Sequence, residues 1–589
     1  MRSGRQVMTL CLLAGAGLAA ALPARASASA SAPAGSLPGR AAGNIRPANN
    51  PLQLWALQSE NRDSNYIPVA PDQALLDAFH FAYLIAHVTG YEGQVAAMKA
   101  INPRLVILAY ENALFAQRWQ GTTYPDSWYL RDINGNKVRS QASGNFLMNP
   151  TDPGWIQDRV TTCQELIAQS GYDGCYLDML GIASLSPGFV SALPVDPRTG
   201  QLWTAVDWIM ATAGLAGQVT AGAAPSLVMG NGINSGALYY SHSTPTKPIL
   251  DALDGGIAEA WLRGSTAPIT RFPEGLTWLE DIQLIGAAES AGKPLLGYVK
   301  NGIDTATPTQ LQAWQQFGLA TFLMGVQARS AYLFSPNFDT SRTTWYSLYD
   351  LILGPPSGSM AKLSGTSGSV YTRAFEFGLA VVNDTAQSVP VTLTGGPYYD
   401  VTGAVVATSP LTVGPDMGLV LRTRVTPVTT VTGGPSSPTT MTSARIWFTS
   451  APGTTFTCAL DGAGPEPCTS PVAFSGLALG PHLVSVQATA RTGTVGVPTP
   501  YAWDINTGSP PAVSLSGPAN GSGSMATFTF SATSPESSFT CSLDRATPAL
   551  CTSPQMLTGL TTGVSHMFTV SVTDPYGVAG TPATWTWTP

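Results

Sequence analysis

The sequence predicts a multidomain protein in which a (β/α)8 TIM barrel is followed by a small β-sandwich and two Ig-like all-β modules. Three observations lead to this fold class. Short apolar strands alternate with amphipathic helical stretches over residues 52–353, antiparallel-type alternation follows over 366–424, and an internal repeat fills the remainder. A chain of 589 residues has room for about three to five domains.

Eight short apolar segments are the predicted strands of the barrel. Many are apolar throughout, as expected for strands that helices cover on both faces. A doubly wound open sheet is the alternative, but no G-x-G-x-x-G motif follows the first strand, and this weakens it. The predicted strands are Leu52–Leu57, Phe79–Ile85, Leu105–Tyr110, Gly174–Asp178, Leu227–Gly230, Gly256–Ala260, Leu295–Val299 and Ala331–Phe334. The predicted helical stretches are 71–79, 90–101, 154–169, 203–217, 277–291, 308–325 and 343–353.

The remaining chain divides into three all-β parts. Strand-like alternation over Arg373–Val382, Ser388–Thr394 and Met417–Arg422 predicts a small sandwich packed on the barrel. The segment Thr455–Asp461 recurs 83 residues later as Ser538–Asp544, so two similar modules follow. The predicted domains are a signal peptide at 1–26, a disordered leader at 27–50, the barrel at 51–354, the sandwich at 355–424 and the modules at 425–508 and 509–589.

The N-terminus predicts export from the cell. Arg2 and Arg5 precede the apolar run Val7–Leu22, and the small-residue stretch 24–26 follows as a cleavage site. A membrane anchor is the alternative, but the run is short and rich in Ala and Gly. We therefore expect a secreted, extracellular protein without a membrane span.

Composition excludes one class of partner. Charged residues make up 11% of the chain, the net charge is −7, and the 28 Lys and Arg residues are scattered. A nucleic-acid-binding protein needs a basic surface, so no nucleic-acid partner is expected.

Six cysteines remain after cleavage, and an even count in an exported chain favours disulfides. They are Cys163, Cys175, Cys458, Cys468, Cys541 and Cys551.

Three carboxylates stand at predicted strand ends: Glu111, Asp178 and Glu259. Active residues of such barrels lie at the C-terminal ends of the strands. Glycoside hydrolysis needs two carboxylates, one ionised and one protonated, which two different environments provide. We expect Asp178, short and fixed on its strand, to be the nucleophile and the longer Glu259 to be the acid/base. The pair of Glu111 with Asp178 is the alternative.

Further strand-end residues are expected to bind the substrate. Flat aromatic faces stack on pyranose rings, and polar neighbours bind hydroxyl groups. No cofactor and no metal is expected, because His80, His87 and His242 form no H-x-H or H-E-x-x-H motif. A serine nucleophile is not expected either, because no G-x-S-x-G motif occurs. The expected substrate-binding residues are Glu111, Tyr110, Trp55, Asn231, Trp261, Lys300, Trp119 and His87.

The chain resembles the glycoside hydrolases of hypothetical glycosyl hydrolase family 15 in three segments, Ala109–Asn112, Phe146–Pro150 and Asp173–Asp178. These are barrel proteins of the wider α-galactosidase-like superfamily, and the resemblance extends over about 50–425. It implies that the strand-four Asp178 is the nucleophile and the strand-six Glu259 the acid/base. Related proteins often carry Asp on strand six, where this chain has Glu.

The two repeats resemble bacterial Ig-like surface modules that carry the pattern F-x-C-x-L-D followed by C-T-S-P. The resemblance implies disulfides Cys458–Cys468 and Cys541–Cys551, each worth about 2–4 kcal/mol. The modules are expected to act as spacers or to contact glycan or cell wall.

The sequence thus predicts a secreted glycosidase that acts on a polysaccharide or oligosaccharide by a two-carboxylate, retaining mechanism. A non-catalytic glycan-binding surface protein and a metal-dependent hydrolase are the alternatives.

Overall fold

The structure is a computed structural model that describes the chain from residue 52 onward, with gaps. The predicted signal peptide, the leader and Trp119 lie outside the described residues. The described ranges are 52–57, 68–116, 124–186, 188–302, 305–336, 345–363, 369–406, 410–506, 508, 510–521, 523–534, 537–574 and 578–589.

The first sheet confirms the predicted barrel. Its eight strands are parallel and lie side by side in chain order. A parallel bridge between Leu54 and Tyr332 brings the last strand back to the first and nearly closes the sheet. We label the strands β1 Trp55–Leu57, β2 Tyr83–Ala86, β3 Val106–Asn112, β4 Gly174–Asp178, β5 Leu227–Gly230, β6 Gly255–Ala258, β7 Leu295–Lys300 and β8 Ala331–Ser335.

Helices follow the strands, and side chains fix where several of them begin. The Asp152 carboxylate accepts hydrogen bonds from the Gly154 and Trp155 amides at the start of the third helix, and Thr307 forms a capping box with Gln310 at the last. No described helix is long and apolar enough to cross a membrane. The helices are α1 Pro71–His80, α2 Val95–Ile101, α3 Pro153–Ser170, α4 Ala205–Ala223, α5 Gly236–Tyr239, α6 Lys247–Ala252, α7 Gly275–Ser290 and α8 Pro308–Gly325.

In the barrel region, one predicted strand and one predicted helix differ clearly from the structure. Strand two begins at Tyr83 rather than Phe79, because Phe79 and His80 close the last turn of α1. The helix predicted over 343–353 contains, within the described residues, only the 3-10 turn Ser347–Asp350. Both errors arise because apolar runs alone do not mark where an element ends.

Alternate residues of each strand face opposite sides of the barrel wall, which decides which side chains can reach its centre. The interior is filled by a cluster that includes Leu108, Tyr176, Ile257 and Tyr298. Their neighbours along the strands, such as Cys175, instead join the larger core between strands and helices. At the ends of the strands, the side chains of residues in phase with the interior cluster therefore point toward the centre of the barrel.

The chain beyond the barrel forms antiparallel sheets. A six-stranded sheet spans 361–422 and lies beside a two-stranded ribbon. The single strand predicted at Arg373–Val382 is instead a hairpin of Val370–Phe375 and Gly378–Asn383, because Glu376 and Phe377 form its turn.

Each repeat builds one module of seven strands, arranged as a three-stranded and a four-stranded sheet. Both implied disulfides, Cys458–Cys468 and Cys541–Cys551, are present in the structure and are thereby confirmed. The first module has strands Thr430–Gly433, Ser443–Thr449, Thr455–Leu460, Glu466–Cys468, Val472–Ser475, Gly480–Thr489 and Thr499–Ile505. The second has Val513–Ser516, Met525–Ala532, Ser538–Leu543, Ala549–Cys551, Gln555–Thr558, His566–Thr573 and Ala583–Trp587.

The first module is docked on the barrel. Its strands Gly480–Thr489 and Thr499–Ile505, both from the four-stranded sheet, contact α1. Leu483, only 2% exposed, belongs to the same apolar core as the barrel helices, and Ala502 packs against that core. The Gly462 turn lies so close to the Ala100 carbonyl that a Cβ atom at this position would clash with it. Apolar burial therefore holds this module against the barrel.

Candidate active site

Polar side chains collect where the barrel strands end. Each lies two residues beyond a member of the interior cluster. Because side chains two apart on a strand share a face, strand alternation directs each of them toward the barrel centre. This is the end at which barrel enzymes carry their active sites. The set runs over consecutive strands β2 to β7 and comprises His87, Tyr110, Asp178, Asn231, Glu259 and Lys300.

The Asp178 carboxylate accepts hydrogen bonds from two side chains and one backbone amide. The Tyr110 hydroxyl donates to its Oδ2 at 2.5 Å, and the Asn231 amide donates to its Oδ1. The backbone amide of Met179 donates to the same Oδ1 at 2.8 Å. Three donors on two oxygens fit an ionised carboxylate and fix its orientation. Met179 itself has φ +72°, a strained conformation that is typical of functional sites.

The Asn231 amide is hydrogen-bonded within the protein and positions Asp178. It is 6% exposed, and its Oδ1 accepts a hydrogen bond from the Leu180 amide at 2.9 Å while its Nδ2 donates to Asp178. One side chain therefore ties the end of β5 to both the carboxylate and the loop after β4. The sequence predicted a direct contact with substrate; the structure gives it a supporting position.

We expect Asn231→Ala to lower kcat by about 10–100-fold with little change in KM, because a carboxylate released from one donor loses its alignment with the reacting carbon. The measurement is steady-state hydrolysis of a soluble aryl glycoside. Thr212→Val is the control, since Thr212 anchors the same loop through Gly181 without touching Asp178. Equal losses in the two variants would show that only loop stability matters.

Glu259 lies just after β6, and one charged side chain among the described residues forms an ion pair with it. The Lys300 ammonium lies 3.8 Å from its Oε2, and the two side chains are 16% and 25% exposed, Lys300 being the more buried. This long contact is a weak ion pair that leaves Glu259 accessible. Arg263, four residues after Glu259, donates to the carbonyls of Lys300 and Ala267.

Asp281 on α7 is a buried carboxylate that the sequence reasoning missed. Its oxygens accept hydrogen bonds from the backbone amides of Gly236 at 2.6 Å and Leu262 at 3.1 Å. It therefore links the loop after β5 to the loop after β6, which carries Glu259. Burial raises the pKa of Asp281 to about 7, opposed by these two hydrogen bonds. A polar residue on the buried face of an amphipathic helix is the signal that could have revealed it.

His87 supplies an uncharged polar group at the end of β2. Its Nδ1 lies 3.0 Å from the Thr89 hydroxyl, and burial lowers its pKa to about 4. The imidazole is therefore neutral at ordinary working pH. A neutral imidazole can both donate to and accept from a hydroxyl group, and the substrate-binding role of His87 stays a prediction.

Glu111 does not share this interior. It is in phase with Ile107 and Ala109, which face the helices, and its side chain is 1% exposed beside Arg159 at 3.2 Å. A substrate contact or a catalytic role beside Asp178 does not fit this position, so the alternative pair loses its support. Among the described residues the one cluster with metal-ligand spacing is Glu111 with Cys163 and Cys175, and a disulfide joins these two cysteines.

We expect Glu111→Gln to keep hydrolysis within a few-fold of wild type while changing the pH dependence of stability. Burial, opposed by Arg159, raises the pKa of Glu111 to about 8. The folded state therefore holds a proton that the unfolded state loses above its ordinary pKa, so wild-type stability falls as pH rises from about 4.5 to 8.

At pH 7, ionisation of Glu111 lowers the free energy of unfolding of the wild type by on the order of 3 kcal/mol. The Glu111→Gln variant lacks this loss, because glutamine does not ionise. Thermal unfolding at pH 5 and pH 8 checks it: the advantage of the variant over wild type should grow between the two. An abolished activity in the folded variant would return Glu111 to the catalytic candidates.

Two predicted substrate-binding tryptophans are buried. Trp261 is 0% exposed and donates to the Asp281 carbonyl at 3.0 Å, in the core between strands and helices. Trp55 is 1% exposed inside the barrel, where it donates to the Gly297 carbonyl and packs edge-on against Tyr298 at 5.2 Å. Neither ring offers a free face, so both predictions need correction. Trp119 lies outside the described residues.

A family model matches the part of the chain that carries both carboxylates. Residues 99–379 match hypothetical glycosyl hydrolase family 15. The predicted resemblance is confirmed, over a shorter range than 50–425. The match supports the predicted enzyme class, a glycosidase, and covers β3 to β8. No curated protein matches the chain.

The solved structures that this chain resembles share little sequence with it. A noncanonic maltogenic α-amylase from Thermotoga neapolitana shows 11% identity and a TM-score of 0.37, covering 63% of this chain and 99% of its own. An α-amylase from Malbranchea cinnamomea shows 10% identity and a TM-score of 0.36, covering 64% and 97%. Fibronectin(III)-like modules from Clostridium thermocellum show 17% identity and a TM-score of 0.17, covering 27% and 93%. At these scores none bears on the substrate.

Proposed function

We propose that this protein is an extracellular glycoside hydrolase that cleaves a polysaccharide by a retaining mechanism, with Asp178 as nucleophile and Glu259 as acid/base. The observation that carries the proposal is the Asp178 carboxylate at the end of β4, held by the Tyr110 hydroxyl, the Asn231 amide and a backbone amide. Glu259 follows β6, two strands away in the same sheet.

The reaction follows from what each carboxyl group can do. In the first step an Asp178 oxygen bonds to the anomeric carbon, the glycosidic C–O bond breaks, and Glu259 gives its proton to the leaving oxygen. In the second step Glu259 takes a proton from water, the water oxygen bonds to the anomeric carbon, and the bond to Asp178 breaks. The net change is hydrolysis with the anomeric configuration kept.

The donors around Asp178 support the nucleophile role. A nucleophile must stay ionised before attack and must leave as a carboxylate in the second step. Hydrogen bonds from Tyr110 and Asn231 stabilise that charge, because hydrogen bonds to an ionised carboxylate are stronger than those between neutral groups. They also limit rotation of the carboxyl group, which keeps one oxygen lone pair directed at the sugar.

Two features support an extracellular location. The N-terminal pattern is that of a signal peptide. Three disulfides join all six cysteines that would remain after cleavage. Such bonds persist in oxidising compartments and are rare in the cytosol. Detection of the protein in culture medium with a new N-terminus near Ala26 tests this part.

Purified residues 27–589, incubated with a panel of α- and β-linked polysaccharides and aryl glycosides, should release sugar from at least one of them. Proton NMR of the first product should show the anomer of the substrate. Inversion of configuration would contradict the covalent step while leaving the hydrolase assignment intact. A folded protein that binds glycans and hydrolyses no member of the panel would favour the surface-binding alternative.

A further inference from the structure

The first module presents an exposed tryptophan on a flat sheet face. Along the strand Ser443–Thr449, buried and exposed residues alternate strictly. Ala444, Ile446 and Phe448 fill the core of the module. Trp447 points outward and is 43% exposed, with Arg445 two residues away on the same face. A tryptophan this exposed removes apolar surface from water only partly, so stability of the module does not explain it.

The neighbouring strand supports the indole from one side. Trp447 pairs with Gly433 across the sheet, and a Cβ atom at Gly433 would lie 3.4 Å from the indole Cε3. The six-membered ring therefore rests beside the bare glycine backbone. On the opposite side, in the strand Val472–Ser475, Ala473 pairs with Arg445 and Ser475 pairs with Ser443. Small neighbours on both sides leave the outer part of the indole open.

The second module shows that the fold does not need this tryptophan. The Phe448 amide donates to the Ser470 hydroxyl at 2.9 Å, and the Phe530 amide donates to the Ser553 hydroxyl at 2.8 Å. These equivalent bonds align the two strands, so that Trp447 corresponds to Thr529 and Arg445 to Thr527. The second module builds the same three-stranded sheet with threonines at both exposed positions. Trp447 and Arg445 are thus specific to the first module.

The chemistry of this face matches a sugar ring. One face of a pyranose is lined by C–H groups, which pack on a flat indole, while its hydroxyls accept hydrogen bonds from a guanidinium. A protein partner fits less well, because a stable interface needs roughly 1,200–2,000 Å² with an apolar centre. Here one aromatic side chain is surrounded by Ser, Thr, Ala and Gly.

We propose that the outer face of the sheet formed by Thr430–Gly433, Ser443–Thr449 and Val472–Ser475 is a glycan-binding site, with Trp447 stacking on a pyranose ring and Arg445 binding its hydroxyls. The four-stranded sheet of the module docks on α1, so this face belongs to the layer turned away from the barrel. The site would hold the enzyme on its polysaccharide and rests on the proposed function for the identity of that ligand.

The test uses residues 27–589 carrying Asp178→Asn, so that a bound polysaccharide is not degraded. Depletion from solution by cellulose, starch granules, chitin and peptidoglycan measures binding to each. We expect at least one to retain the protein, and added Trp447→Ala to weaken that retention about tenfold, the scale of one lost stacking contact. Thr529→Ala, the matched position in the second module, should leave it unchanged.

A second measurement separates this site from catalysis. With Asp178 intact, Trp447→Ala should hydrolyse a soluble aryl glycoside as fast as wild type, because a small substrate in the barrel makes no use of the Trp447 indole. Equal retention of the Trp447→Ala and Thr529→Ala proteins, or no retention by any of the four glycans, would overturn the binding site whatever the activity. Retention that depends on Trp447 without any hydrolysis would overturn the proposed function and leave the site standing.

Discussion

Asp178→Asn is expected to reduce hydrolysis by about 10⁴-fold or more, while the barrel stays folded. Asparagine keeps the shape of the side chain, so the Met179 amide can still donate to its oxygen. The neutral amide cannot form the covalent bond to the anomeric carbon, and the lost step corresponds to roughly 5 kcal/mol of barrier at 1.36 kcal/mol per factor of ten. Initial rates on the best substrate of the panel provide the measurement.

The same strand offers a matched control. Asp173 precedes β4, where its carboxylate pairs with Lys99 at 2.7 Å and accepts a hydrogen bond from the Ile107 amide. Asp173→Asn should lower the unfolding temperature and leave turnover within a few-fold of wild type. If both variants lost activity equally, the effect would belong to the strand and not to the carboxylate.

Azide can identify the role of Asp178 directly. In Asp178→Gly the removed side chain leaves space beside the anomeric carbon, and azide can attack there in place of the carboxylate. A retaining enzyme should then yield a glycosyl azide of inverted configuration. Wild-type turnover by Asp178→Asn would show that the nucleophile lies elsewhere among the strand ends.

Glu259→Gln should slow cleavage of sugar–sugar bonds by about 10²–10⁴-fold and spare substrates with a good leaving group. A glycan oxygen leaves slowly without a proton, which glutamine cannot supply. A 2,4-dinitrophenolate leaves without one, so the first step on a dinitrophenyl glycoside should be nearly as fast as in wild type. The comparison of burst-phase rates on the two substrate types is the measurement.

A surface carboxylate serves as the control for this variant. Glu165 lies on the exposed side of α3, and Glu165→Gln should leave both substrates unaffected. If Glu259→Gln slowed the dinitrophenyl glycoside as much as the polysaccharide, Glu259 would not be the acid. Its contact with Lys300 would then be its main role.

Strand positions and the order of polar strand ends could be predicted, because buried parallel strands are apolar runs and their ends are polar. Whether a side chain faces the barrel interior or the helices changes with a shift of one residue along the strand. A run of apolar residues does not show which of the two faces each residue occupies. Tyr110 and Glu111 are neighbours in β3, yet one reaches Asp178 and the other packs against the helices beside Arg159. Trp261 was misplaced for a different reason: it lies beyond Ala258, the last residue of β6, where strand alternation no longer applies, and it packs in the core.

Supporting contacts were less predictable still, since they join residues far apart in the chain. Asn231 could be placed at a strand end, but its bond to Asp178 required the register between β4 and β5. Asp281 reaches the loop after β6 from a helix, and the sequence shows only an acidic residue among apolar ones. The disulfides of the two modules were easier to predict, because the same cysteine pattern occurs in both repeats.

The contact between the first module and α1 has a consequence for how the chain can be shortened. The module covers an apolar flank of the catalytic barrel, with Leu483 sharing its core. A fragment that ends near residue 424 would leave that flank in water, and exposed apolar surface of this kind promotes aggregation. The smallest well-behaved catalytic unit therefore extends through Ile505, and the barrel and its first module should melt together as one cooperative body.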